Sequence, residues 1–205
     1  DKDLIKIFLY GGKISTKQKN RWINNSSDFN VTNLDLHNNI GVKYKKDQNT
    51  FSFNISDINT INTSFTNDFL GFIFKGNYYY EGDTLDFENT SLRIDRYQQI
   101  KLEYKRDIDR FAVGAAISYL NGNHHYSYIM NEGRLYTENG GSFLDLNYQM
   151  NGFSTDTSNI SLFNNNGSGF AFDFSIEYKH KDMLVTLYLD NLGFINWNKN
   201  SIIYA

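Results

Sequence analysis

Between Leu34 and Tyr44 the chain alternates with period two. Leu34, Leu36, Ile40, Val42 and Tyr44 take even positions, with Asn38 among them, and Asp35, His37, Asn39, Gly41 and Lys43 take the odd ones. A helix would space its apolar residues three and four apart, so this is a strand with one apolar and one polar face. Lys45 to Asn49 supply a polar turn, and Phe51, Phe53 and Ile55 alternate with Ser52, Asn54 and Ser56 on the return. The two runs read as a hairpin.

The pattern recurs along the chain. Ile100, Leu102 and Tyr104 alternate with Lys101, Glu103 and Lys105, and Arg106 to Asp109 make a turn. Phe111, Val113, Ala115, Ile117 and Tyr119 follow, with small Ala112, Gly114, Ala116 and Ser118 opposite. Leu144, Leu146, Tyr148 and Met150 make another strand. Phe170, Phe172, Phe174, Ile176 and Tyr178 alternate with Ala171, Asp173, Ser175 and Glu177, and Met183, Val185, Leu187 and Leu189 come after a charged turn. About eight strands emerge, many near the ~9–11 residues of a tilted membrane strand.

Two kinds of segment interrupt the strands. Asn67 to Asn77 is apolar without alternation and predicts a short helix, N-capped by Asn67 or Asp68 and ended near Gly76. Residues 78–89, 131–141 and 151–167 read as loops, and residues 1–29 as a loop, a plug or a strand. With no linker or fixed-length repeat, residues 1–205 read as a single domain.

Composition narrows the environment. Aromatic residues make up 17% of the chain while the charged fraction is 21% and the net charge -3, which points away from nucleic acid. Mean hydropathy is -0.54, so the many aromatics sit in a sequence that is polar on average. Alternating lipid-facing and lumen-facing residues produce that combination in transmembrane β-barrels. There is no Cys and no Pro; Pro cannot donate to a β-ladder, so its absence suits a strand-rich segment. A soluble β-sandwich also alternates. Short charged turns after Tyr44, Tyr104 and Tyr178, with long connections elsewhere, favour the barrel, as do tyrosines at strand ends where an aromatic girdle would stand.

On this reading Leu36, Ile40, Val42, Phe51, Phe53, Ile100, Leu102, Phe111, Val113, Phe170, Phe172, Phe174 and Ile176 face lipid. Asp35, Lys43, Lys101, Glu103, Asp173 and Glu177 face the lumen. Phe172→Asp is then expected to impair insertion, and Asp173→Asn to be mild.

A family resemblance points the same way. Gly167-Ser168-Gly169-Phe170-Ala171-Phe172-Asp173, then Tyr178-Lys179, then Leu189-Asp190-Asn191-Leu192-Gly193-Phe194-Ile195-Asn196-Trp197 resembles a "G-G-F-x-x-D-x-x-x-x-Y…D-L-G-F-I-x-W" segment. That segment marks a large, mostly uncharacterised family of Bacteroidota outer-membrane barrels. Tyr97 to Tyr104, Phe111 to Gly114 and Tyr119 to Gly122 look like the family's "Y-x-x-x-x-L-x-Y-x-R…V-G-x-x-x-x-Y-L-x-G" hairpin, and the helix-like segment falls where the family has an apolar stretch ending in W-N-G-N. The resemblance covers most of the chain from about Asn33. The family is similar to fatty-acid-transporter barrels and to accessory barrels of Type IX secretion. It implies an all-β, antiparallel up-and-down transmembrane barrel of about fourteen strands. Some strands are then expected before Asp1 and after Ala205.

The residues offer little chemistry on their own. His124 and His125 are adjacent on a strand and point to opposite faces, which is wrong for chelating one metal. His37 and His180 are isolated. Asp107 and Asp109 begin like a calcium loop, but Phe111 occupies the next ligand position. Asn164 to Gly169 has glycines but no Lys and precedes a strand, so it is no phosphate cradle. Asp83, Asp86 and Glu88 lie in a loop without a nearby His. His125 and Ser127 share a strand face, as in the Ser-His pair of the outer-membrane phospholipase, but nothing in the sequence marks a third member. Lys13, Lys17, Lys19 and Arg21 precede Trp22, which could bring them to anionic lipid headgroups or leave them in a solvated loop. Trp197 reads as a packing or girdle residue.

No cofactor, metal or catalytic residue is therefore expected, and no nucleic-acid partner. The expectation is a non-enzymatic outer-membrane subunit of an envelope assembly or secretion complex, with membrane lipid and a larger membrane-protein complex as partners. Two alternatives stay open: a channel or transporter for hydrophobic or small solutes, and a soluble β-sandwich that binds carbohydrate through Tyr78, Tyr79 and Tyr80.

Overall fold

A computed structural model describes residues 10–155, 164–198 and 201–204. The described residues are mostly antiparallel β-sheet, in nine strands. These are β1 (Phe29–Lys46), β2 (Asn49–Thr66), β3 (Thr84–Asp86), β4 (Ser91–Ile108), β5 (Phe111–Thr137), β6 (Leu144–Thr155), β7 (Gly167–His180), β8 (Met183–Asn196) and β9 (Ser201–Tyr204). Hydrogen bonding runs in the order β1-β2-β4-β5-β6-β9, with β3 and β7 also on β5 and β8 on β7. Among the described residues the sheet does not close on itself.

Three turns take only two residues, and each holds one residue at positive φ: Asp47, Asp109 and Lys181. Two of the three are Asp, whose short side chain tolerates that conformation.

Several boundaries differ from those the sequence suggests. The strand from Phe111 runs on to Thr137, so most of 131–141 is strand and not loop. Its Leu135 and Thr137 are buried, and β3 pairs with it from Arg134 to Tyr136. Residues 151–155 likewise extend β6, while 156–163 lie outside the described residues. Within 78–89 there is a 3-10 turn (Asn77–Tyr80) and β3.

The described residues group into two compact units, each built from three stretches of chain: Asp1–Thr32, Thr63–Ser91 and Ile129–Asn151 in the first, Asn33–Asn62, Leu92–Tyr128 and Gly152–Ala205 in the second.

Among its described residues the first unit holds two α-helices. Helix α1 (Thr16–Asn25) lies where the sequence left loop, plug or strand open. It begins with a reciprocal capping box, in which Ser15 Oγ accepts from Gln18 N and Gln18 Oε1 accepts from Ser15 N. Helix α2 (Asn67–Lys75) is capped one residue earlier than expected: Thr66 Oγ1 accepts from Phe69 N at 3.1 Å and donates to Asp86 O at 2.6 Å. It ends at Gly76, whose φ of 73° suits glycine. Trp22 is buried against Phe74, ring centroids 5.6 Å apart, and Lys19 donates to Phe74 O at 2.9 Å. Trp22 is thus helix packing and no exposed headgroup anchor. Leu85, Phe87 and Leu135 form a small core with Phe69, Phe72, Tyr80 and Met130 packed on it. Burial and the nearby Asp68 carboxylate push the Tyr80 phenol above its ordinary value.

Candidate functional site

The informative chemistry lies in the second unit, whose sheet has an unusual distribution of polarity. On one face, Phe51, Phe53, Ile100, Leu102, Phe111, Ile117, Tyr119, Phe170, Phe172 and Phe174 are exposed, and Val113 and Ile176 are half-buried. This apolar band runs from Phe111 to Tyr119 on β5 and from Phe170 to Tyr178 on β7, about nine residues each. A shallow trough of about 710 Å³ lies against it, lined by Phe53, Leu102, Tyr104, Ile117 and Phe172 among others. At one end the band stops at a polar row. Arg96 pairs with Asp57 at 3.2 Å, Gln98 donates to Asp57 at 3.0 Å, and Asn121 donates to Gln98 Oε1 at 2.8 Å.

The opposite face is polar yet covered. Ala112, Gly114, Ala116 and Ser118 of β5 are all buried. Lys101 of β4 pairs with Asp173 of β7 and with Asp190 at 3.2 Å, and Lys105 pairs with Glu177 at 2.6 Å. Because β5 lies between β4 and β7, each lysine must span two strand spacings, roughly 10 Å. The small β5 row leaves room for that. Ala116 stands opposite Asp173 and Ala112 opposite Glu177 in the β5–β7 register. Gln99 continues the lane, donating to Ser118 Oγ at 2.9 Å and to Asn191 Oδ1 at 2.7 Å. Glu103 is half-buried on this face. Asp35, Leu36, Ile40, Val42 and Lys43 are exposed on β1, which among the described strands pairs with β2.

The segment richest in family-like residues has a structural account. The β7–β8 register slips between Phe172 and Phe174, at Asp190-Asn191. Asn191 adopts φ 55°, and its N–H donates to Asp173 Oδ1 at 2.7 Å, so Asp173 holds both a β-bulge and a lysine. A Cβ at Gly193 would collide with the Phe170 carbonyl, and one at Gly169 with that of Phe194. The Trp197 ring lies against Gly122 and Gly167, where a Cβ would come within 2.6 Å and 3.1 Å of it. Trp197 is a packing residue here.

Gly122 and His125 both face the Trp197 ring, whose centroid is 5.2 Å from that of His125. An even and an odd residue of β5 cannot share a face under strict alternation, so the strand's phase slips at Gly122-Asn123, both of which are buried. The slip turns His125 and Ser127 onto the covered polar face. His125 Nδ1 lies 2.5 Å from Asp95 Oδ1, and His125 Nε2 lies 3.1 Å from Ser127 Oγ. Arg93 Nε donates to the other Asp95 oxygen at 2.7 Å. Asp95 and His125 are buried and Ser127 is half-buried. A cleft of about 350 Å³ opens beside Asp95, lined by Arg93, Asp95, Tyr97, Leu120 and Trp197 among others, with neither His125 nor Ser127 on its wall. Asp95 is the member that the sequence left unmarked. Its inward phase could be read from Gln99 and Lys101 on the same strand, but its proximity to His125 depends on β4 pairing with β5.

The remaining candidates are not drawn together. His37 is exposed, and His180 lies 3.2 Å from Arg110 at a turn. Asp107 pairs with Lys45 at 3.1 Å. Asp86 accepts from Glu88 N, so part of the acidic loop serves its own backbone. Tyr78 and Tyr79 are exposed and meet edge to face, whereas Tyr80 turns inward against Gly71, so the three make no common stacking platform. Among the described residues no three His, Asp or Glu side chains converge to hold a metal ion.

Comparison with known proteins finds no match among curated proteins or solved structures. One family model matches, over residues 3–205, and it is described as a family of unknown function, DUF5723. The chain that carries this bulge, this lysine lane and this polar triad therefore belongs to the DUF5723 family.

Proposed function

We propose that this chain forms part of the wall of a bacterial outer-membrane β-barrel and serves as a subunit of an envelope assembly or secretion complex. The apolar band carries the proposal. Each large apolar side chain exposed to water forgoes about 1.5–3 kcal/mol of burial, and lipid would recover it along the whole band. Nine strand residues at about 3.4 Å each, tilted by roughly 45°, climb about 22 Å, close to the ~25 Å apolar height of outer-membrane barrels. The Asp57–Arg96–Gln98–Asn121 row then stands where headgroups begin. No described helix is long and apolar enough to cross a membrane.

The covered face favours a subunit over an open channel. Lysines that bridge over β5 to β7 occupy the surface a solute would need. The resemblance to Bacteroidota barrels adds the outer membrane as the location. Fractionation tests the first step: the protein should partition with detergent-extracted outer membrane and shift in gel mobility on heating. Recovery in the soluble fraction would overturn the proposal. Copurification of a stoichiometric larger complex from native membranes supports the subunit role. An isolated monomer that passes solute in liposomes would replace it with the channel.

A further inference from the structure

The covered face carries a second feature, which does not depend on the membrane. We propose that Asp95, His125 and Ser127 form an acyl-transfer triad that hydrolyses carboxylic esters. The sequence alone suggested no enzyme, because His125-x-Ser127 lacked a carboxylate. The fold supplies one from the neighbouring strand.

Connectivity assigns the roles. An ionised carboxylate only accepts hydrogen bonds, so His125 Nδ1 carries the proton donated to Asp95 Oδ1 at 2.5 Å. That tautomer leaves Nε2 as an acceptor, facing Ser127 Oγ at 3.1 Å. The order carboxylate, Nδ1, Nε2, hydroxyl is the one that activates a serine. Arg93 fixes the second Asp95 oxygen, and Thr155 Oγ1 accepts from His125 N at 2.9 Å and donates to His125 O at 3.1 Å, which pins the strand at the histidine. Phe153 and Trp197 flank the imidazole, with centroids 5.3 and 5.2 Å away, and give the site apolar walls suited to a short acyl chain.

In the reaction, Ser127 Oγ attacks the ester carbonyl carbon as its proton passes to His125 Nε2. The tetrahedral adduct collapses, the acyl–alkoxy bond breaks, and the departing alkoxide takes that proton as the alcohol. Water then attacks the acyl-serine and gives a proton to Nε2. The acyl–Ser127 bond breaks, the carboxylic acid leaves, and the proton returns to Oγ. Water is the only co-reactant.

The test uses the whole chain, folded in detergent, with a fluorophosphonate probe and p-nitrophenyl butyrate. The expected result is phosphonylation localised to Ser127 by peptide mass spectrometry, with ester turnover falling at least about 100-fold in Ser127→Ala and in His125→Ala. Asp95→Asn should lower kcat more than it changes KM. The wild-type label needs no variant to fold, so it decides the matter alone. A folded wild-type protein left unmodified at Ser127 overturns the proposal, as does turnover unchanged by Ser127→Ala. Either failure would leave a purely structural hydrogen-bond network and would not touch the membrane assignment, which fractionation reads separately.

Discussion

Lys101 and Asp173 form an ion pair across a strand that belongs to neither of them. The pair lies over β5 beside Ala116, with both side chains largely buried. Its existence depends on the smallness of one intervening residue as much as on the two charges.

Ala116→Phe should therefore destabilise the protein by about 2 kcal/mol, since the ring would occupy the lysine's path. Lys101→Met should cost about 3 kcal/mol, because it strands a buried carboxylate. The double variant Lys101→Met/Asp173→Leu should lie closer to wild type than Lys101→Met does. Urea unfolding of the detergent-folded protein, followed by Trp fluorescence, measures all three. Additive losses in the double variant would show that the pair is not coupled.

Position 172 tests the facing of the band. Phe172→Asp should lower the fraction of heat-shifted, membrane-assembled protein and cost about 2 kcal/mol if Phe172 meets lipid. The neighbouring Asp173→Asn was expected to be mild from sequence. The structure revises that to about 1 kcal/mol, because the amide can still accept from Asn191 N but loses the charge opposite Lys101. Equal tolerance at both positions would refute the facing.

Gly122→Ala should strain the Trp197 ring and cost about 1–3 kcal/mol by overpacking. Trp197→Ala removes the nearer of two obstacles and leaves Ile195 Cγ2 at 2.9 Å, so Gly122→Ala should cost less in that background. A double-mutant cycle on unfolding free energy reads the coupling, and a cycle that closes to zero would remove the contact from the account.

Thr66→Ala removes the α2 cap and a bond to Asp86 O. It should cost about 1 kcal/mol and raise proteolytic nicking near α2 under limited protease. Unchanged cleavage there would argue against the cap.

Period-two alternation made most of this sheet legible from sequence, because each strand reports its two faces locally. Helix α1 is hard to read from sequence despite its Ser15-x-x-Gln18 capping box, since its ten residues are mostly polar and show no apolar periodicity. The end of β5 reads locally as loop because Asn131 and Gly133 are turn-formers; pairing with β3 overrides that local preference. Asp95 escaped for a different reason. Its partner lies thirty residues away, and a one-residue slip at Gly122-Asn123 decides which face His125 takes. Such a phase shift leaves no mark in the alternation of either half alone.

The lysine lane also bears on the order in which the chain can mature. Lys101 and Lys105 sit on β4, but Asp173 and Glu177 arrive only with β7, some seventy residues later in the chain. Until that strand docks, two cations on the covered face have only Glu103 of their own strand as a counter-charge, and closing so long a loop is slow. A nascent chain stopped before residue 167 would hold β4 and β5 without their neutralising partner. The seventh strand is thus the one whose docking completes the charge balance of this face.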